Sequence, residues 1–123
     1  MLVEDNDVNQ LVAKRMLGHL GASTECAGDV SSAIQLLKES KFDLVLLDLG
    51  LPDGDGRSVS RWMRSHGMDT PVVALTAAAF EEEKESALAA GMDGFLTKPI
   101  TQDILRHALA EFLPAEGSSP DTR

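Results

Sequence analysis

Short apolar runs of strand length alternate five times with stretches whose apolar residues recur at helical spacing, and no other feature constrains the chain as much. The runs are Met1-Leu2-Val3, Ala22 to Ala27, Asp43 to Asp48, Pro71 to Thr76 and Asp93 to Thr97. Strict alternation predicts a five-stranded parallel sheet with helices on both faces, joined by right-handed crossovers. The third run is the most informative. Leu44 to Leu47 is unbroken apolar sequence that stops on Asp48, the pattern of a strand buried on both faces. Gly50, Pro52, Gly54 and Gly56 follow it as a loop. Ligands of open parallel sheets bind at the carboxyl ends of the strands, so Asp48 stands where chemistry is placed. An Asp in that position is about as often only a cap or a turn former.

The stretches between the runs read as helices. Asp7 is expected to cap the first, with Val8, Leu11, Val12, Met16 and Leu20 at helical spacing and Gly18 and Gly21 marking its end. In the second run Ala22, Thr24 and Cys26 share one face, and Gly28-Asp29 opens a helix that turns Ala33, Leu36 and Leu37 inward. A third helix carries Val59, Trp62 and Met63 and ends near His66-Gly67. The fourth begins acidic from Phe80 through Glu85, is apolar mainly through alanines and stops at Gly91. Thr101 is placed to cap the last, whose stripe is Ile104, Leu105, Ala108, Leu109 and Phe112. Residues 1–113 are expected to form the domain, and 114–123, rich in Pro, Gly, Ser and charge, a disordered tail or linker.

A chain of 123 residues is long enough for one core, and its single cysteine, Cys26, leaves no internal disulfide to build. A formal net charge of −9 speaks against nucleic acid, whose binding requires Lys and Arg to neutralise phosphates. No apolar run approaches the ~20 residues of a membrane span, so no direct membrane contact is expected. The first run starts at residue 1, as expected of a domain cut from a longer protein.

The strand ends carry Glu4-Asp5, Asp48, Thr76 and Lys98, and a parallel sheet brings them to one edge. Clustered carboxylates repel unless a cation joins them, and carboxylate oxygens are the ligand set of Mg²⁺. A hydroxyl and an ammonium beside them suit an oxyanion. Together these groups support phosphoryl transfer to or from a carboxylate.

Val3-Glu4-Asp5-Asn6, Leu47-Asp48-Leu49-Gly50-Leu51-Pro52, Leu75-Thr76-Ala77-Ala78 and Thr97-Lys98-Pro99 resemble, in order, the motifs of the receiver (response-regulator) domain of two-component signalling. The resemblance covers residues 1 to about 113. It implies a flavodoxin-like fold with strand order 2-1-3-4-5 and Asp48 as acceptor of a phosphoryl group from phosphohistidine. Glu4, Asp5, Asp48 and the Gly50 carbonyl would hold Mg²⁺, with Mn²⁺ as the second candidate. Thr76 and Lys98 would bind the phosphoryl oxygens, Thr76 and Phe95 would form the switch, and the Lys98–Pro99 peptide would be cis. Phe95 lacks the hydroxyl of a Tyr, so a weaker switch coupling is expected. Leu51 stands where Met is common before the proline. Gly50 and Ala78 occupy the positions that influence hydrolysis, and their small side chains leave the phosphoryl lifetime open.

The Asn6, Asn9 and Gln10 pattern is similar to receivers attached to hybrid sensor histidine kinases. The implied partner is a histidine kinase or a histidine-containing phosphotransfer domain docking on Asn9, Val12, Ala13 and Met16. A cytoplasmic location is expected even where the parent kinase is membrane-anchored. The domain by itself would be a phosphoacceptor that at most catalyses its own phosphorylation and dephosphorylation. A stand-alone regulator and a pseudo-receiver are alternatives. A haloacid-dehalogenase-like phosphohydrolase is disfavoured, because Gly50 stands where that family has its second aspartate. Asp53-Gly54-Asp55-Gly56 fails as a calcium loop, since Arg57 and Arg64 would fall on ligand positions. His19, His66 and His107 show no metal spacing, and Trp62 is read as packing or partner surface.

Overall fold

The computed structural model describes residues 1–77 and 81–113. Ala78, Phe80 and the tail expected at 114–123 lie outside the described residues. The elements are β1 (Leu2–Val3), α1 (Asp7–His19), β2 (Cys26–Ala27), α2 (Val30–Glu39), β3 (Val45–Asp48), β4 (Gly50–Leu51), β5 (Gly54–Asp55), α3 (Arg57–Ser65), β6 (Val72–Thr76), α4 (Glu81–Ala89), β7 (Gly94–Thr97) and α5 (Gln102–Phe112). The main sheet is parallel in the order β2-β1-β3-β6-β7. In order of the strands that form it, this is the 2-1-3-4-5 arrangement expected above.

The strands are shorter than their apolar runs, because a run also supplies the residues that lead into the sheet. Leu44 is buried although β3 begins at Val45. Only Cys26–Ala27 pairs in the second run. Alternation along β3 divides the core. Val45 and Leu47 pack with Ala33 and Leu37 of α2, Val59 and Met63 of α3 and Ala87 of α4. Leu44 and Leu46 pack on the other face with Leu17 of α1 and Leu105 of α5.

Helix α1 corrects two expectations. Its cap is Asn6, whose side chain accepts from the Asn9 N–H, and Asp7 is the first helical residue. Val8, Leu11 and Val12 are 67%, 51% and 49% exposed, and the sheet-facing stripe is instead Ala13, Met16, Leu17 and Leu20. Helical spacing is satisfied by two apolar faces here, and only packing selects between them. Asp29 and Thr101 cap α2 and α5 through the N–H groups of Ser32 and Ile104.

The loop after β3 contains a small antiparallel hairpin, which the Gly/Pro/Asp pattern alone does not specify, pairing Gly50 with Asp55 and Leu51 with Gly54. Asp53 at its tip accepts from the backbone N–H groups of Val30 and Ser31, tying the loop to the start of α2. Those bonds, the Val30 N–H foremost, hold the Asp53 carboxyl below its ordinary range.

Candidate phosphoacceptor and cation site

Strand register builds the site. Val3 pairs with Leu47, so Glu4 comes level with Asp48; Asp48 pairs with Leu75, and Thr76 with Thr97. Glu4, Asp48, Thr76 and Lys98 therefore converge on the carboxyl edge of the sheet. Asp48 and Glu4 are buried, at 8% and 4% exposure, while Asp5 is exposed. Each of the three offers an oxygen within 4.8 Å of the others, an arrangement able to hold a hard divalent cation.

Lys98 closes the cluster. Its Nζ donates to Asp48 Oδ2 at 2.9 Å and to Glu4 Oε1 at 3.2 Å. Burial lowers the Lys98 ammonium, but the hydrogen bonds and charges of Asp48 and Glu4 together outweigh it and its pKa rises. Burial raises the Glu4 carboxyl, and the Asp48 charge adds to this against the lowering by the Asn6 N–H and Lys98. The other Asp48 oxygen, Oδ1, accepts from the Gly50 N–H at 3.0 Å. Glu4 is held at both ends: Oε2 accepts from the Asn6 N–H at 3.2 Å, and its carbonyl accepts from Gln10 Nε2. The sequence places Gln10 in the first helix but does not announce this contact, because its partner is a backbone carbonyl.

Thr76 and Phe95 lie beside this cluster and toward α4. The Thr76 hydroxyl donates to Glu83 Oε1 at 2.8 Å. Phe95 packs against the core between the sheet and α2, α3 and α4, with Lys84 Nζ 5.0 Å from its ring centroid. The Lys98–Pro99 peptide is cis. On the other side a groove of about 540 Å³ opens along α1, with Asn9, Val12, Ala13 and Met16 on one wall and Pro99 and Ile100 on the other. A cavity of about 400 Å³ between Met1, Thr24, Phe42 and Leu113 lies at the opposite end of the strands from these groups. Among the described residues no helix is long and apolar enough to cross a membrane.

A doubly wound parallel sheet with three carboxylates and a lysine on its carboxyl edge defines the class of protein. Residues 1–110 match the family described as the response regulator receiver domain, and the chain belongs to that family. It is a module of two-component signal transduction. Phosphorylation on aspartate and Mg²⁺ at an acidic site are general features of the family. The chain is 37% identical over 112 residues to the sensor histidine kinase RcsC of Salmonella typhimurium, covering 91% of this chain and 12% of that protein. The receiver domain of sensor histidine kinase PA1611 from Pseudomonas aeruginosa superposes with a TM-score of 0.81 at 36% identity, covering 90% of this chain and 93% of that one. That structure has a magnesium ion coordinated in its active site cleft. The chemotaxis protein CheY4 of Vibrio cholerae superposes with a TM-score of 0.87 at 25% identity, covering 91% and 95% of the two chains.

Proposed function

We propose that this receiver takes a phosphoryl group from a phosphohistidine onto Asp48, and that it serves a hybrid sensor histidine kinase. The observation that carries the proposal is the state of Asp48: buried, one oxygen on Lys98, the other on the Gly50 N–H, beside Glu4 and Asp5. A carboxylate is a weak nucleophile toward a phosphoryl group that itself bears negative charge, so the reaction needs cations and donors already in place. An Asp48 oxygen forms the new P–O bond as the P–N bond breaks, and the imidazole leaves with the electron pair. Lys98 then moves its donation from Asp48 to a phosphoryl oxygen, and the Thr76 hydroxyl donates to another. Glu4, Asp5, Asp48 and the Gly50 carbonyl would hold Mg²⁺, or Mn²⁺ in second place, which when bound neutralises charge on the transferred group.

The donor is a histidine kinase or histidine-containing phosphotransfer domain seated in the groove lined by Asn9, Val12, Ala13 and Met16. The exposed apolar face of α1, Val8 and Leu11 with Val12, extends that surface. The kinase context is supported by the similarity to histidine-kinase segments, and a cytoplasmic location is the reading that goes with it.

Intact mass after incubation with acetyl phosphate tests the acceptor chemistry. A gain of one phosphoryl group that requires Mg²⁺ and is absent in Asp48→Asn is the expected result. A folded wild type that gains nothing from several donors would overturn it in favour of a phosphorylation-independent binding platform.

A further inference from the structure

We infer that Glu83 is a positioning residue for the phosphorylated state: its carboxylate competes with the phosphoryl group for the Thr76 hydroxyl and so sets the affinity of the site for that group. The inference rests on the proposal that Asp48 is the acceptor. A threonine hydroxyl has one proton to donate. Here that proton goes to Glu83 Oε1, 2.8 Å away. A phosphoryl oxygen on Asp48 would claim the same proton, so one donor faces two anionic acceptors and only one can be served. The Glu83 bond is charge-assisted and half-buried, hence a stronger competitor than a neutral acceptor or water. Glu83 also stands in the first turn of α4, where the N–H groups of the helix favour a carboxylate.

The neighbouring residue repeats the arrangement with opposite charge. Lys84 lies over the ring of Phe95, so consecutive residues of α4 hold Thr76 and Phe95. A narrow cavity of about 10 Å³ bounded by Leu49, Thr76, Glu83, Ala87 and Phe95 lies between the two contacts. A phosphoryl oxygen that takes over the Thr76 hydrogen bond leaves the Glu83 carboxylate without that donor. The first turn of α4 then loses its tie to Thr76, which loosens Lys84 from Phe95.

Beryllofluoride with Mg²⁺, a phosphoryl mimic, is the probe, and its dissociation constant is measured by calorimetry. Glu83→Ala is expected to bind it about tenfold more tightly than wild type, a factor equivalent to ~1.4 kcal/mol, and Glu83→Gln by a smaller factor. In a Thr76→Ala background the Glu83→Ala change should have no effect. Glu82→Gln removes the same charge from the same turn at an exposed position and should leave the affinity unchanged. Amide spectra establish that each variant is folded, and Glu83→Gln carries the test should the alanine variant unfold. Unchanged affinity in the folded Glu83 variants, or tightening that persists in Thr76→Ala or appears in Glu82→Gln, would overturn the inference while the acceptor proposal stands. A wild type that takes neither beryllofluoride nor a phosphoryl group would overturn both.

Discussion

Lys98 is the residue on which the charge balance of the site turns. Its ammonium is shared between Asp48 and Glu4, residues 50 and 94 positions away in the chain, and without it two buried carboxylates face each other. Two opposed consequences follow for Lys98→Met. The carboxylate cluster keeps its ligands but loses its internal cation, so Mg²⁺ should bind more tightly, by about threefold to tenfold. Labelling by acetyl phosphate should slow by at least about tenfold, because the phosphoryl oxygens lose a charged donor. Calorimetric Mg²⁺ titration and intact-mass time courses read the two effects separately; a fall in both would mean that Lys98 mainly holds the cluster together. At this scale the acids, the hydroxyl and the lysine were legible, since each ends a strand. Gln10 and Glu83 were not. Their partners are the backbone of Glu4 and the side chain of Thr76, and nothing in local sequence announces either contact.

The loop from β3 to α3 shows how an element holds the end of its neighbouring strand, and with it Asp48, in place. A Cβ added to Gly56 would lie 2.3 Å from the Asp48 carbonyl oxygen and 3.0 Å from Leu49 Cα. Both are backbone atoms, and no rotamer relieves the clash. Gly56→Ala should therefore cost about 1–3 kcal/mol in urea unfolding and slow acetyl phosphate labelling by displacing the end of β3. Gly18→Ala, with nothing within 4 Å of the added Cβ in α1, should be neutral or stabilising by up to about 1 kcal/mol. Equal effects of the two would remove the steric argument. Helix α1 gives the complementary lesson. Its spacing predicts one apolar stripe, but Val8, Leu11 and Val12 face outward while Leu17 faces the sheet. Periodicity reports that a face is apolar; it carries no information on whether the sheet or a partner covers it.

Across the whole molecule the design is a division of labour around one sheet edge. The groove beside α1 reaches Glu4 and Lys98 from one side, and α4 touches Thr76 and Phe95 from the other. Val12→Asp or Met16→Asp should slow transfer from a phosphohistidine donor by about tenfold while leaving acetyl phosphate labelling unchanged, because a small donor needs no protein surface. Rates measured with both donors on the same variants decide this, and unchanged transfer from phosphohistidine would place the docking surface elsewhere. Remote ties keep the frame rigid. Arg64 donates to the carbonyls of Gly91, Met68 and Thr70 and pairs with Asp93, joining the end of α3 to the turns that enter β6 and β7. Ser60, buried, donates to the Ala90 carbonyl in the same region.

From sequence alone the alternation of periods determined a parallel five-stranded sheet, and with it the edge on which Glu4, Asp5, Asp48, Thr76 and Lys98 would meet. That much is local: a strand's burial is written in its own residues, and right-handed crossovers bring every strand of a parallel sheet to the same end. Tertiary structure alone decided which face of α1 stays open, that Gly50 and Gly54 turn a hairpin, that Arg64 bridges two turns and that the Thr76 hydroxyl is given to Glu83. Each of these depends on the distance between groups brought together by packing, and such distances are properties of the assembled layers rather than of any single element.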